Sequence, residues 1–97
     1  MSVADLFEVS ESDTVWDAWL MTVNLIDMLE YTHRIKQYDF AQARERMAKI
    51  SVVAEAHSID KGVACNCGLS VAEHALLKRK MMTFFKLQVA NLKHFIA

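Results

Sequence analysis

The chain has no proline, and its two glycines both lie between residues 62 and 68. Proline and glycine are the residues that most often interrupt helices, so their absence elsewhere predicts long helical segments. Alternating β-branched residues are also missing, which argues against strands. Two cysteines separated by one residue cannot form the disulfide framework of a small secreted domain.

The sequence also lacks a basic start followed by a long apolar run, so we expect no signal peptide. Its most apolar window, Val15 to Leu29, is too short to span a membrane and is broken by Asp17, Asn24 and Asp27. We therefore expect a soluble cytoplasmic protein without membrane contact.

Recognisable enzyme motifs are missing. There is no glycine-rich phosphate loop, no G-x-S-x-G and no H-E-x-x-H. No pair of carboxylates is placed for acid–base catalysis. These absences predict a protein that is not an enzyme and needs no cofactor.

Basic residues are absent from residues 1–33, which carry seven acids, whereas residues 34–97 carry eleven bases and five acids. The two parts therefore have charges of −7 and +6, which sum to the net −1. A net charge this small does not favour nucleic acid. The simplest interpretation is that the acidic first part packs beside the basic remainder.

What is present predicts an all-α fold, a single domain built as an antiparallel bundle of three helices with a short N-terminal arm, residues 1–9. The helices are expected at about 13–37, 40–61 and 71–96. A continuous, kinked helix in place of the first two is the competing possibility.

Local patterns place the helix ends. Ser10 or Ser12 is the expected N-cap of the first helix. Asp39 followed by Gln42, and Ser70 followed by Glu73, match the capping-box pattern for the second and third helices. Gly62 is expected to end the second helix in a left-handed conformation.

The first helix has more apolar surface than one side can hide. Leu20, Met21, Met28 and Tyr31 fall opposite the face that packs in the bundle. They indicate either a contact stripe, which a homodimer would cover most simply, or scattered exposed residues.

On the third helix, basic residues recur every seven positions. A solvated face, or one that pairs with the acids, is favoured over a nucleic-acid stripe there.

The segment GVACNCGLSVAEH, residues 62–74, contains both cysteines and His74. An antiparallel pair of helices would bring His57 close to these residues, and two cysteines with two histidines are an acceptable zinc set. The spacing is C-x-C, whereas structural zinc sites usually use C-x₂₋₄-C. A Cys65–Cys67 disulfide is disfavoured because its ring is small and the cytosol is reducing.

The leading hypothesis is a non-enzymatic protein–protein interaction module, a small adaptor, chaperone-like protein or inhibitor, of a type common among helical accessory proteins of bacteria and phages. It would bind a partner protein or a second copy of itself. One alternative is a metal-binding or redox sensor that uses His57, Cys65, Cys67 and His74. Another is a nucleic-acid-binding helical dimer that uses the bases of the third helix. The predicted partner-binding residues are Trp16, Asp17, Leu20, Met21, Asp27, Met28, Tyr31, Arg79, Lys86 and Lys93.

Overall fold

The computed structural model describes residues 3–32, 38–62 and 65–96, and within these ranges all regular structure is helical. A single 3₁₀ turn, Val3–Leu6, precedes three α-helices. These are α1 (Val15–Tyr31), α2 (Phe40–Ala56) and α3 (Val71–Lys93). The all-α three-helix bundle expected from the sequence is confirmed.

The N-termini of α2 and α3 are capped by the residues that the sequence predicts. The Asp39 carboxylate accepts a hydrogen bond from the Gln42 backbone N–H at 2.9 Å. The Ser70 hydroxyl accepts one from the Glu73 N–H at 3.1 Å, and the Glu73 carboxylate accepts one from the Ser70 N–H at 3.0 Å. The second pair is a complete capping box, which satisfies two otherwise unpaired donors of the helix.

The first helix begins differently. Its N-cap is Thr14, whose hydroxyl accepts from the Asp17 N–H at 3.0 Å, and not Ser10 or Ser12. The reason is a turn that precedes the helix: the Ser10 N–H donates to the Asp13 carboxylate at 2.9 Å, and the Asp13 N–H donates to the Ser10 carbonyl at 3.1 Å. Within this turn the Ser10 hydroxyl accepts from the Ser12 N–H at 3.2 Å and contacts the Ser12 hydroxyl at 2.9 Å, so neither serine side chain caps the helix.

The second helix ends at Ala56, five residues before the predicted position 61. The residue that takes the left-handed conformation after the last turn is Ser58, with φ of 50°. Its N–H donates to the Glu55 carbonyl at 3.1 Å, and the Ile59 N–H donates to the Ala54 carbonyl at 2.9 Å. These two bonds form a Schellman motif. Ile59 is only 4% exposed, so its burial directs the chain away from the helix here.

The other two helices also end before their predicted positions, which are 37 for the first helix and 96 for the third. Gly62 does have a positive φ, 70°, but it lies in the loop after this motif. The first helix ends at Tyr31 with Thr32 as its C-cap, and the predicted extension over 33–37 lies outside the described residues. The third helix ends at Lys93, and a turn follows in which the Ile96 N–H donates to the Lys93 carbonyl at 3.1 Å.

Helix α1 packs against both α3 and α2 and therefore organises the core. Thr22 is its one buried polar residue among those described, and its hydroxyl donates to the Ala18 carbonyl at 2.8 Å. No described helix is both long enough and apolar enough to cross a bilayer. The largest fully buried apolar side chains are Val15, Leu25, Ile26, Leu29, Phe85 and Leu92.

Acids of the first part do pair with bases of the remainder. The Arg44 guanidinium lies 2.6 Å from the Asp27 carboxylate and 3.4 Å from the Glu30 carboxylate. Lys86 lies 3.3 Å from Glu11. All of these side chains are more than a third exposed, so each pair contributes about 1 kcal/mol at most. The charge asymmetry is thus partly explained by contacts within the chain.

Candidate metal centre

Four potential metal ligands converge where α2 ends and α3 begins. His57 is the C-cap of α2, Cys65 and Cys67 lie in the connecting loop, and His74 lies in the first turn of α3. One ligand atom from each residue lies within 4.8 Å of the others. The convergence that the sequence allowed but did not establish is therefore present.

The turn after His57 is held in place by α1. The Trp16 indole N–H donates to the Ile59 carbonyl at 2.7 Å. The Asp60 carboxylate accepts from the Val15 backbone N–H at 2.8 Å and from the Lys78 ammonium at 2.9 Å. Asp60 itself has a positive φ of 56°, a conformation that Asp tolerates better than most residues. One carboxylate therefore links the N-terminus of α1 to α3 beside the cluster.

The ring of His74 is oriented by the backbone. Its Nδ1 lies 3.0 Å from the Ser70 carbonyl oxygen. A carbonyl oxygen only accepts, so Nδ1 carries the proton in this hydrogen bond and Nε2 of the neutral ring presents a lone pair. That Nε2 lies 3.3 Å from the Cys67 sulfur. Histidines that bind metals typically donate their other ring N–H to a carbonyl or a carboxylate in this manner.

His57 supplies a second, independent observation. Its Nδ1 is buried and has no hydrogen-bond partner among the described residues. Buried polar atoms in folded proteins nearly always have a partner, so such an atom needs an explanation. The His57 and His74 rings approach at a centroid distance of 6.3 Å, close to perpendicular. A cation bound between the two rings would use a nitrogen lone pair of each.

Cys65 and Cys67 form a disulfide in this structure, which is the pairing that the sequence argument disfavoured. Their Cα atoms are 5.5 Å apart, within the range of about 4.4–6.8 Å that disulfides require. Asn66 between them is exposed, and the disulfide brings the two sulfurs to the same side of the loop. Ring size alone was therefore a poor guide to whether the two sulfurs meet.

Once the Cys65–Cys67 bond is reduced and the two sulfurs separate, the four side chains would fit a tetrahedral zinc ion. With zinc–sulfur bonds of about 2.3 Å and zinc–nitrogen bonds of about 2.0 Å, neighbouring ligand atoms are separated by roughly 3.3–3.8 Å. The Cys67 sulfur and His74 Nε2 already have this spacing at 3.3 Å. The widest separation in the cluster, 4.8 Å at most, must close by about 1 Å. Side-chain rotations cover such a distance, because each donor atom sits on a rotatable arm.

Solvent reaches the cluster through a cavity of about 300 Å³. His57, Cys65 and His74 line it together with Asp60 and Lys78. All four candidate ligands are half-buried, so they are accessible to an ion and yet partly shielded from water.

The predicted contact residues of α1 divide into two groups. Leu20 and Tyr31 are exposed, at 54% and 85%. Met21 is half-buried, and Asp17 is exposed. The other three have contacts within the chain: Trp16 and Met28 pack against the core, and Asp27 pairs with Arg44.

The three bases of α3 do not form a uniform stripe. Arg79 is exposed, Lys86 pairs with Glu11, and Lys93 is half-buried. Their seven-residue spacing places them on one side of the helix, as the sequence predicts. Nothing in their surroundings distinguishes them from a solvated face.

Sequence reasoning identified all four candidate ligands but missed the residues that hold them. The Ser70 carbonyl lies four positions before His74, a helical spacing that was visible in the sequence. Asp60 and Trp16 had no comparable pattern, since their partners lie 45 and 43 positions away.

Comparison of this chain with protein-family models, with curated proteins and with solved structures found no match. The features of the chain that bear on its function are the geometry of this cluster and the exposed surface of α1.

Proposed function

We propose that this protein binds Zn²⁺ through His57, Cys65, Cys67 and His74. The observation that supports this function is the convergence of the four donor atoms within 4.8 Å. Two thiolates and two imidazoles are a soft and borderline ligand set that suits zinc better than magnesium or calcium. Among the hypotheses that the sequence left open, the metal-binding alternative thus moves ahead of the interaction module.

The proposed site is structural or sensory, and not catalytic. Four protein ligands complete a tetrahedral shell and leave no position for water or substrate, which catalytic zinc sites keep open. Its ligands come from the end of α2, the loop and the start of α3, so a bound ion would tie these segments together. Thiolate ligands require reduced cysteines, so we place the working protein in a reducing compartment such as the cytoplasm.

The test is metal content under reducing conditions. Protein reduced with a phosphine, loaded with zinc and freed of excess ion should retain about one zinc per chain, as expected for a site whose four ligands are already assembled. His74→Ala should lose most of this zinc. His94→Ala is the matched control, because His94 is an exposed histidine outside the cluster and should keep it. Less than roughly a tenth of an equivalent in the reduced wild type would contradict the proposal.

A second candidate function is protein interaction through α1, which would fit an adaptor, a chaperone-like protein or an inhibitor. The accessible surface of the chain is 6465 Å². A monomer of 11.1 kDa is expected to expose about 5,650 Å². The chain thus exposes more surface than this relation gives for a compact monomer of its mass. Leu20 and Tyr31 are the exposed apolar and aromatic residues of α1 that this surface includes.

Self-association is the simplest form of this second candidate. Light scattering should then show a dimer, and replacing Leu20 and Tyr31 together by serine should make it monomeric. Leu87→Ser is the matched control, since Leu87 is an apolar residue of α3 with a similar exposure of 57%. A monomeric wild type whose partner capture is unchanged by the double substitution would exclude the α1 surface. The nucleic-acid alternative stays a prediction without added support.

A further inference from the structure

The two sulfurs of the candidate metal centre are also the two sulfurs of a disulfide. We propose that zinc binding and the Cys65–Cys67 disulfide are mutually exclusive states of this cluster. A peroxide would then expel the zinc ion and close the disulfide. This proposal rests on the zinc site proposed above.

The backbone of the loop suits the disulfide state. The two cysteines are two positions apart, and their Cα atoms are separated by the 5.5 Å that is usual for a disulfide. The zinc state needs the same two side chains on the same side of the loop, with their sulfurs about 3.8 Å apart. Exchange between the states therefore requires side-chain rotation and not a rearrangement of the helices.

The two states exclude each other for a chemical reason. Zinc binds the thiolate form of cysteine, and a sulfur in a disulfide has no negative charge to donate. Oxidation therefore leaves only His57 and His74 as strong ligands in the cluster. Two neutral imidazoles do not make the four-ligand shell that structural zinc requires.

The redox step balances with hydrogen peroxide as the oxidant. One zinc-bound thiolate attacks a peroxide oxygen, the O–O bond breaks, and a sulfenic acid and a hydroxide form. The second thiolate attacks the sulfenic sulfur, the S–S bond forms, and a second hydroxide leaves. The two sulfurs have lost two electrons, the peroxide has gained them, and two solvent protons convert the hydroxides to two waters. The zinc ion departs hydrated.

The cluster contains features that support this chemistry. Both cysteines are only half-buried, and the cavity that reaches Cys65 gives a small peroxide access. A reactive thiol with a second thiol placed to resolve its sulfenic acid is the usual arrangement of a redox-sensing site.

The switch also has a structural consequence. The zinc ion would join residues 57 and 74 and so connect the end of α2 to the start of α3. The disulfide joins residues only two positions apart and makes no such connection. Oxidation would therefore remove the zinc link between α2 and α3, and the disulfide would not replace that link.

The experiment begins with reduced protein loaded with zinc. Addition of one equivalent of hydrogen peroxide should release the zinc to a chromophoric chelator. The tryptic peptide from Gly62 to Lys78, which contains both cysteines, should then be about 2 Da lighter, the mass of the two hydrogens lost in a disulfide. Added phosphine should restore both the peptide mass and the zinc binding.

A variant separates disulfide formation from other thiol damage. Cys65→His keeps four potential ligands but cannot form the disulfide. Provided that circular dichroism shows the fold unchanged, it should release zinc at least about tenfold more slowly than the wild type at equal peroxide, because its single thiolate has no resolving partner. Cys67→His tests the same expectation from the other side if the first variant is unfolded.

The possible outcomes distinguish a failure of the redox switch from a failure of the proposed zinc site. Zinc that binds the reduced protein but stays bound after the disulfide forms overturns the switch and leaves the zinc site standing. Release accompanied by added oxygen on the peptide, or equally rapid release from the Cys65→His variant, also overturns it. Reduced protein that binds no zinc overturns the proposed function and the switch together.

Discussion

Zinc should stabilise the reduced protein against unfolding by an amount that follows from where its ligands lie. The outermost ligands, His57 and His74, enclose a loop of about 18 residues. The chain-entropy relation for a cross-link of this length gives about 3 kcal/mol at 25 °C. This is the loop-closure part of the zinc effect; because the unfolded chain has no assembled site, the full effect also depends on the ratio of free zinc to its Kd and is about 3–4 kcal/mol when that ratio is roughly 100–1,000.

This free energy is large for a domain of 97 residues. Such domains have total stabilities of about 5–15 kcal/mol, so 3 kcal/mol is a substantial fraction. With a urea m-value of about 1–3 kcal/mol per molar, the unfolding midpoint should rise by roughly 1–3 M. In thermal unfolding the same change corresponds to a rise in Tm of roughly 10–20 °C.

The assay is urea unfolding followed by far-ultraviolet circular dichroism, with phosphine present and with zinc either saturating or removed by a chelator. His74→Ala should have one midpoint regardless of zinc, whereas His94→Ala should respond as the wild type does. Equal midpoints for the wild type in both conditions would refute the idea that zinc connects α2 to α3. A zinc effect that persists in His74→Ala would refute the assigned ligand set.

Three further outcomes are expected. Asp60→Ala should destabilise the fold by about 2 kcal/mol in urea unfolding, because it leaves the Val15 N–H without its charged acceptor and Lys78 without its pair; an unchanged midpoint would contradict this role. Phe85→Ala should cost about 3–5 kcal/mol, since Phe85 is fully buried in the core, and a loss below about 1 kcal/mol would show that the core is not packed as described. The Ser70 backbone N–H, followed by the Ser70 hydroxyl, holds the pKa of the Glu73 carboxyl below its usual range. The stability from this contact is therefore present at neutral pH and is lost as pH falls through the folded-state pKa. NMR titration of Glu73 should show the lowered pKa, and Glu73→Gln should flatten the acid side of the stability profile; an ordinary pKa would contradict the capping box.

Features fixed by neighbouring residues were predictable from the sequence. Asp39 and Ser70 cap their helices as predicted, because an N-cap depends on a side chain and an N–H three positions later. The absence of proline correctly indicated long helices. Contacts between the acidic and basic parts were expected from the charge distribution alone, and Lys86 with Glu11 is one of them.

Features fixed by distant residues were not predictable. The end of α2 was placed at Gly62 on conformational preference, but Ser58 takes that role because Ile59 is buried and bonded to Trp16. Burial and a bond across 43 positions outweigh the local preference for glycine. The N-cap at Thr14 was missed because the preceding turn uses Ser10.

The candidate metal centre was only partly predictable from the sequence. Its residues could be chosen from the sequence, since cysteine and histidine are few and lie near two helix ends. Whether they meet depends on the path of the turn after His57, which Asp60 and Ile59 set through contacts with α1. The C-x-C spacing lowered the weight of the metal hypothesis, although the Cα separation of 5.5 Å lets both sulfurs face the same point.

X-ray absorption spectroscopy of the zinc-loaded, reduced protein tests the central claim most directly. Two sulfur ligands at about 2.3 Å and two nitrogen ligands at about 2.0 Å are expected, with one sulfur lost in each of Cys65→Ser and Cys67→Ser. A first shell of oxygen and nitrogen alone, or a spectrum that neither cysteine substitution alters, would contradict a zinc centre built from His57, Cys65, Cys67 and His74.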